Sequence, residues 1–369
     1  MRDDAGDWLV IREGRRPRWG GEIRRHHVFS RLAERTGATI LENGWSDRGI
    51  RRAILGPVAG RLPAIVGRRL GPRARPLFAA SEKLRPAVLR TAIALTDPAV
   101  VAIYDDPVAQ ARSLGVPVDP GWIASLAERQ RLNRAAFRWH VVPTRSFAEL
   151  AVLDLDRTII GGNGTDTSAV RVAVWPTRPT IGLVSAAAPG RGIELLIQAT
   201  RLAREVLPEL ELRLWLVATN DETRAYMESL CAVVAADPWA EVSTAAYDRL
   251  GETLGEASAL TIPHPPGDYM DVALPVKLFD SLAAGRPLIV TPRRETAAVV
   301  ERYGVGIVAG GDAPEDLAAS IVELLSDAAR TRALGERARR VAETTFDWRI
   351  VGDRIADEVL SREGGGAAP

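Results

Sequence analysis

The chain has 369 residues, 46% hydrophobic and 26% charged, with a net charge of +1. This is the balance of a globular protein long enough for two cores, and its apolar runs fall short of the ~20 residues that span a bilayer. One cysteine, Cys231, and four histidines, scattered apart from the adjacent His26 and His27, exclude an internal disulfide and a multi-thiolate metal centre; no metal is expected.

The N-terminus has no basic segment followed by an apolar one, so a cytoplasmic protein is expected. A βαβ opening is predicted from a strand over 7–13, a glycine-containing loop over 15–21, a helix over 22–37 and a strand over 38–43. Charge is uneven. Residues 1–90 carry 20 Lys+Arg against 9 Asp+Glu, or +11, which leaves −10 for the rest. The 48–90 stretch holds 11 cations against one acid, Glu82. It reads either as a solvated face with loops or as a surface for an anionic membrane or an acidic acceptor. Nucleic acid is not among the expected partners.

A strand over 99–106 then ends in Asp105 and Asp106, at the strand end where open α/β sheets place ligands. A helix over 121–137, a strand over 139–143, a helix over 146–153 and a strand breaking into a glycine turn over 158–168 follow. Trp175 to Pro179 reads as a proline-stiffened linker. The alternation restarts with strands over 179–186, 212–218, 259–264, 287–291 and 306–309. Helices over 192–207, 221–236, 275–284 and 296–304 separate them, and further helices run to about 360. Two successive βα series predict an α/β protein with two parallel sheets.

Two segments carry candidate chemistry. Residues 186–192 (AAAPGRG) end a strand and open a helix, so backbone N–H groups, the helix dipole and Arg191 could form an anion site; a plain turn is the bland reading. Residues 271–287 (DVALPVKLFDSLAAGRP) define a short helix with Lys277 and Asp280 three apart on one face. Only two of the 48 cationic residues are lysines, Lys83 and Lys277, and a compact ammonium is not equivalent to a guanidinium in a tight phosphate site. Ammonium to phosphate and carboxylate to ribose would suit a nucleotide; an exposed ion pair is the alternative.

LPVKLFDSLAAGRPLIVT resembles the nucleotide-binding signature of the family 4 glycosyltransferases of the GT-B fold. TIGLVSAAAPGRGIELLIQA, RTIIGGNGTDTS, WGGEIRRHHVFSRLAE and FDW resemble further segments of that family, in family order from about residue 8 to 355. The resemblance implies two Rossmann-like domains facing a cleft, an N-terminal one over 1–174 joined by a C-terminal helix over 348–362, and a nucleotide-sugar domain over 175–347. It implies metal-independent, retaining transfer of a sugar from a nucleoside diphosphate, which serves as co-substrate, with no other cofactor. Arg191 and Lys277 are expected to bear on the diphosphate and Asp280 on the ribose. Gly20, Gly21, Gly190 and Gly192 are expected to approach the phosphates. Asp106 would orient the acceptor or donor sugar, or cap a helix, and His264 would touch the donor or a loop. The family's first acid falls at Val272, leaving Asp268 and Asp271 as its substitutes, and an expected arginine is Ala186. Those departures keep open a second reading, a catalytically degenerate accessory subunit.

Overall fold

The computed structural model describes residues 8–13, 20–43, 75–79, 81–82, 84–113, 119–244 and 249–364. The chain divides into two compact units. One comprises residues 1–111, 117–162 and 349–369, the other 112–116 and 163–348.

In the first unit, β1 (Leu9–Glu13), α1 (Gly20–Thr36), β2 (Thr39–Asn43), β3 (Arg75–Ala79), α2 (Pro86–Leu95), β4 (Thr96–Ala102), α3 (Pro107–Ser113), α4 (Pro120–Ala136), β5 (Trp139–Val142), α5 (Arg145–Leu150) and β6 (Thr158–Ile160) follow one another. The strands form one parallel sheet in the order β2-β1-β3-β4-β5-β6. Strands covered on both faces need apolar residues in succession, and Leu77, Phe78, Val100, Val101, Val141 and Val142 are all fully buried. The basic stretch, read as a face with loops or a surface for an anionic partner, contains β3 and the start of α2. Residues 48–74 of that stretch lie outside the described residues, as do most of the expected glycine loop and the tail beyond Gly364.

The second unit runs β7 (Thr180–Ala186), α6 (Ile193–Val206), β8 (Glu211–Val217), α7 (Asp221–Val234), β9 (Ala240–Ser243), α8 (Leu250–Gly255), β10 (Ala259–Ile262), α9 (Asp268–Val272), α10 (Val276–Ala283), β11 (Leu288–Val290), α11 (Arg294–Tyr303), β12 (Gly306–Val308), α12 (Pro314–Leu325) and α13 (Ala328–Val341). Its parallel sheet has the order β12-β11-β10-β7-β8-β9, the doubly wound arrangement whose winding reverses between β7 and β10. Side chains alternate across it. Ile181, Leu183, Leu212, Leu214 and Ile289 join the cluster containing α6 and α12. Trp215, Leu260, Ile262, Leu288 and Val290 join the cluster containing α8 and α10.

The expected boundary at 174/175 shifts to Gly162/Asn163. Side-chain bonds anchor residues 163–174 in the second unit: Asn163 Nδ2 donates to Leu274 O, Thr165 Oγ1 to Asp280 Oδ1 at 2.8 Å, and Arg339 Nη1 to Val170 O at 2.7 Å. The Trp175–Pro179 segment is likewise docked, with the Arg286 guanidinium 4.1 Å from the Trp175 ring centroid. The final helix, α14 (Trp348–Gly364), passes from the second unit into the first. There Arg31 and Arg35 donate to Asp353 at 2.8 and 3.1 Å, and Trp139 Nε1 donates to Glu363 at 2.7 Å. Val351, Ile355 and Val359 of α14 are buried.

Candidate functional site

Beyond β7 the chain turns through Gly190, Arg191 and Gly192, both glycines at φ +73°. A side chain on Gly192 is excluded twice, by that angle and because its Cβ would lie 1.7 Å from the carbonyl oxygen of Pro263. The turn therefore presses against the segment leaving β10, at the point where the winding reverses. Gly192 caps α6 with no side chain, which leaves the helix's first N–H groups and its positive dipole end for an anion. In α6 itself Ile193, Leu196, Ile197, Thr200 and Ala203 recur at helical spacing and are buried, so packing fixes where that N-terminus points.

Two residues past β10 stands His264, 2% exposed. Its carbonyl accepts from Thr291 Oγ1 at 2.7 Å, while neither ring nitrogen has a hydrogen-bond partner. Burial holds its pKa well below the usual histidine value, and the charges of Lys277, Arg191 and Arg293 lower it further. Arg191 is partly buried, its Nε without a partner and its pKa lowered by burial. Lys277 is the one residue of α10 that is not buried. Desolvation, then the charge of Arg191, pushes it down to about 7. Among the described residues no carboxylate forms an ion pair with Arg191 or Lys277. Arg293, from the turn after β11, is paired with Asp312 at 2.6 Å.

Asp280 is buried on α10, accepting from Thr165, and desolvation raises it to about 7; the Thr165 bond opposes that shift and the Asp166 charge adds to it. Pro275 stands at the helix N-cap and Gly285, at φ +68°, ends it. Thr261, Lys277, Asp280 and Ser281 line a small cavity under α10. A larger groove of about 650 Å³, lined by Trp175, Thr180 and Glu211 among others, lies at the opposite, N-terminal strand edge, where doubly wound sheets do not bind ligands.

The remaining expected residues are dispersed. Asp271 Oδ1 accepts from Arg294 N at 2.9 Å and its other oxygen lies 3.3 Å from Arg294 Nε, so that carboxylate is committed to starting α11. Asp268 is exposed in the first turn of α9, and Val272 is buried. In the first unit Gly20 and Gly21 open α1 as its first helical residues. Asp106 Oδ1 accepts from Val108 N and Ala109 N at 3.1 and 3.0 Å, which makes it the cap of α3. Sequence reasoning missed Thr165, whose only signal was its place in the Asn-Gly-x-Asp segment. It also missed Glu82, buried and held by Gln130 Nε2 at 2.7 Å and by Arg134, because a lone acid in a basic run reads as surface.

Two doubly wound units with parallel sheets define the GT-B architecture of glycosyltransferases. Residues 178–327, within the second unit, match the family described as glycosyl transferases group 1. Among solved structures the chain is similar to Anabaena HepE in complex with UDP and glucose, at 15% identity over 96% of this chain and 99% of that one, with a TM-score of 0.68. Sucrose-phosphate synthase from Thermosynechococcus elongatus is similar at 13% identity over 98% and 100%, with a TM-score of 0.70. WaaG, a glycosyltransferase involved in lipopolysaccharide biosynthesis, is similar at 15% identity over 95% and 99%, with a TM-score of 0.61. No curated protein matches the chain in sequence. Among the described residues no helix is long and apolar enough to cross a membrane.

Proposed function

We propose that the protein transfers a sugar from a nucleoside diphosphate donor, UDP-linked in the first instance, to an acceptor with retention of configuration and without a metal. The observation that carries the reading is the cationic pocket at the reversal between β7 and β10. There Arg191, Lys277 and the open N-terminus of α6 converge without a pairing carboxylate, inside a glycosyl transferases group 1 domain. A diphosphate is the ligand such a pocket neutralises. The HepE structures contain UDP, UDP with glucose, and UDP-glucose, which supports uridine as the first base to try.

In the reaction the bond from the sugar's anomeric carbon to the diphosphate oxygen breaks as a bond to the acceptor oxygen forms. The acceptor's proton passes to the leaving phosphate. Negative charge grows on that phosphate, and Arg191 and Lys277, fixed beforehand by packing, stabilise it there. Asp280, anchored by Thr165, would hold the ribose. A thermal-shift screen in EDTA against UDP, GDP, ADP, dTDP and their sugars tests this. A rise in melting temperature with one series, abolished in Lys277→Ala, is expected. The commitment of Asp271 to Arg294 favours one rival, an accessory subunit without turnover; absence of any shift would favour it over the enzyme.

A further inference from the structure

Three buried polar atoms in the second unit lie in one cationic environment without hydrogen-bond partners: Nδ1 and Nε2 of His264, and Nε of Arg191. A buried donor or acceptor left unmade is costly, so buried atoms of this kind are candidates for bonds to a ligand. His264 is not held there by its own ring. Its backbone is pinned on one side by Thr291 and on the other by Gly192, whose missing side chain lets the turn close onto Pro263. The backbone that carries the imidazole is thus held by the two segments that leave β7 and β11.

Its surroundings narrow the occupant. The charged groups that act on the ring are Lys277, Arg191 and Arg293; Arg293 is offset by its pair with Asp312, which leaves Lys277 and Arg191 as the unpaired cations. Among them an imidazole is uncharged and offers one N–H donor and one lone pair. A ligand bearing its own cation would face repulsion from Lys277 and Arg191. An anion with several oxygens could take the N–H of His264 and that of Arg191 together.

We propose that His264 is a ligand of the donor diphosphate, its ring N–H donating to a phosphate oxygen that Arg191 Nε also reaches. This rests on the donor reading above and adds to it a contact by an uncharged donor, where position rather than charge supplies specificity. The residue acts in binding the leaving group and performs no proton transfer.

Calorimetric titration with UDP and with inorganic pyrophosphate, in the full-length wild-type protein, His264→Ala, His264→Asn and His264→Gln, tests the assignment. It is read beside ¹⁵N spectra of histidine-labelled protein, in which the signals absent from His264→Asn identify the ring. Binding of both ligands should weaken about tenfold in His264→Ala, the worth of one hydrogen bond in this setting, with recovery in whichever amide reaches the ring donor's position. The ring ¹⁵N signals of wild-type His264 should move on adding UDP or pyrophosphate. If wild type binds UDP while those signals stay still and His264→Ala retains full affinity, His264 is a packing residue and the assignment is overturned alone. A wild-type protein that binds neither ligand would overturn the donor reading and this assignment with it.

Discussion

Lys277 sits where protein has replaced water and Arg191 supplies a like charge, so its proton is held far less tightly than in the unfolded chain, about 7 against the ordinary 10.5. Between those values the unfolded chain binds more protons than the folded one, and stability rises with pH through that window. Asp280 has the opposite sense. Raised from 3.8 to about 7, it binds its proton more tightly when folded, and stability falls as pH climbs through that range. The unliganded second unit should therefore be least stable near neutrality. A diphosphate bound beside Lys277 would reverse the field there and restore its proton. Titrating UDP at about pH 8.5 in buffers of different ionisation enthalpy should show about one proton taken up per ligand. Lys277→Arg, charged at every accessible pH, should take up none. Equal uptake in both proteins would assign the titration to another group. Lysine scarcity and the helix spacing singled out this residue from sequence; its partial burial and its nearness to Arg191, which come from different strand ends, had no local signature.

At the level of elements the turn at Gly190–Gly192 is the most constrained piece of the second unit. Gly192→Ala would force a Cβ into the Pro263 carbonyl at a positive φ, a combination costing roughly 1–3 kcal/mol or more. Chemical denaturation should show that loss, and UDP affinity should fall with it because Pro263 carries His264. An alanine variant of wild-type stability would mean that the turn relaxes freely. Long helices with periodic apolar faces were legible to within a few residues: α6, expected over 192–207, spans Ile193–Val206, and α4, expected over 121–137, spans Pro120–Ala136. Short elements were uneven: β5, β11 and β12 were expected, while β3, β9 and α8 were not. β3 is five residues, Arg-Pro-Leu-Phe-Ala, without a β-branched residue, and it is a strand because β1 and β4 pair with it on either side. β9, Ala240–Ser243 (AEVS), and α8 (LGETLG) lack the continuous apolar run that marked β5, β11 and β12.

Across the molecule, charge is segregated, +11 in residues 1–90 and −10 in the remainder. We infer from this a contact between the 48–90 segment and an anionic membrane surface or an acidic acceptor. Co-sedimentation with vesicles containing anionic lipid should retain the full-length protein at low salt and release it as salt rises, with neutral vesicles retaining none. Failure to bind anionic vesicles would leave a solvated face.

Composition and the two βα series determined the α/β class and the placement of nearly every long element, because helix and strand periods are local properties of the chain. The ordered run of motif-like segments, similar to those of one glycosyltransferase family, pointed to a donor domain and to Arg191, Lys277 and Asp280 within it. Only the tertiary structure decided that residues 163–174 belong to the second unit, that Asp271 is spent on Arg294, and that the buried ring of His264 has no hydrogen-bond partner. Those facts depend on contacts between residues tens to more than a hundred positions apart, which the sequence encodes only through the fold that brings them together.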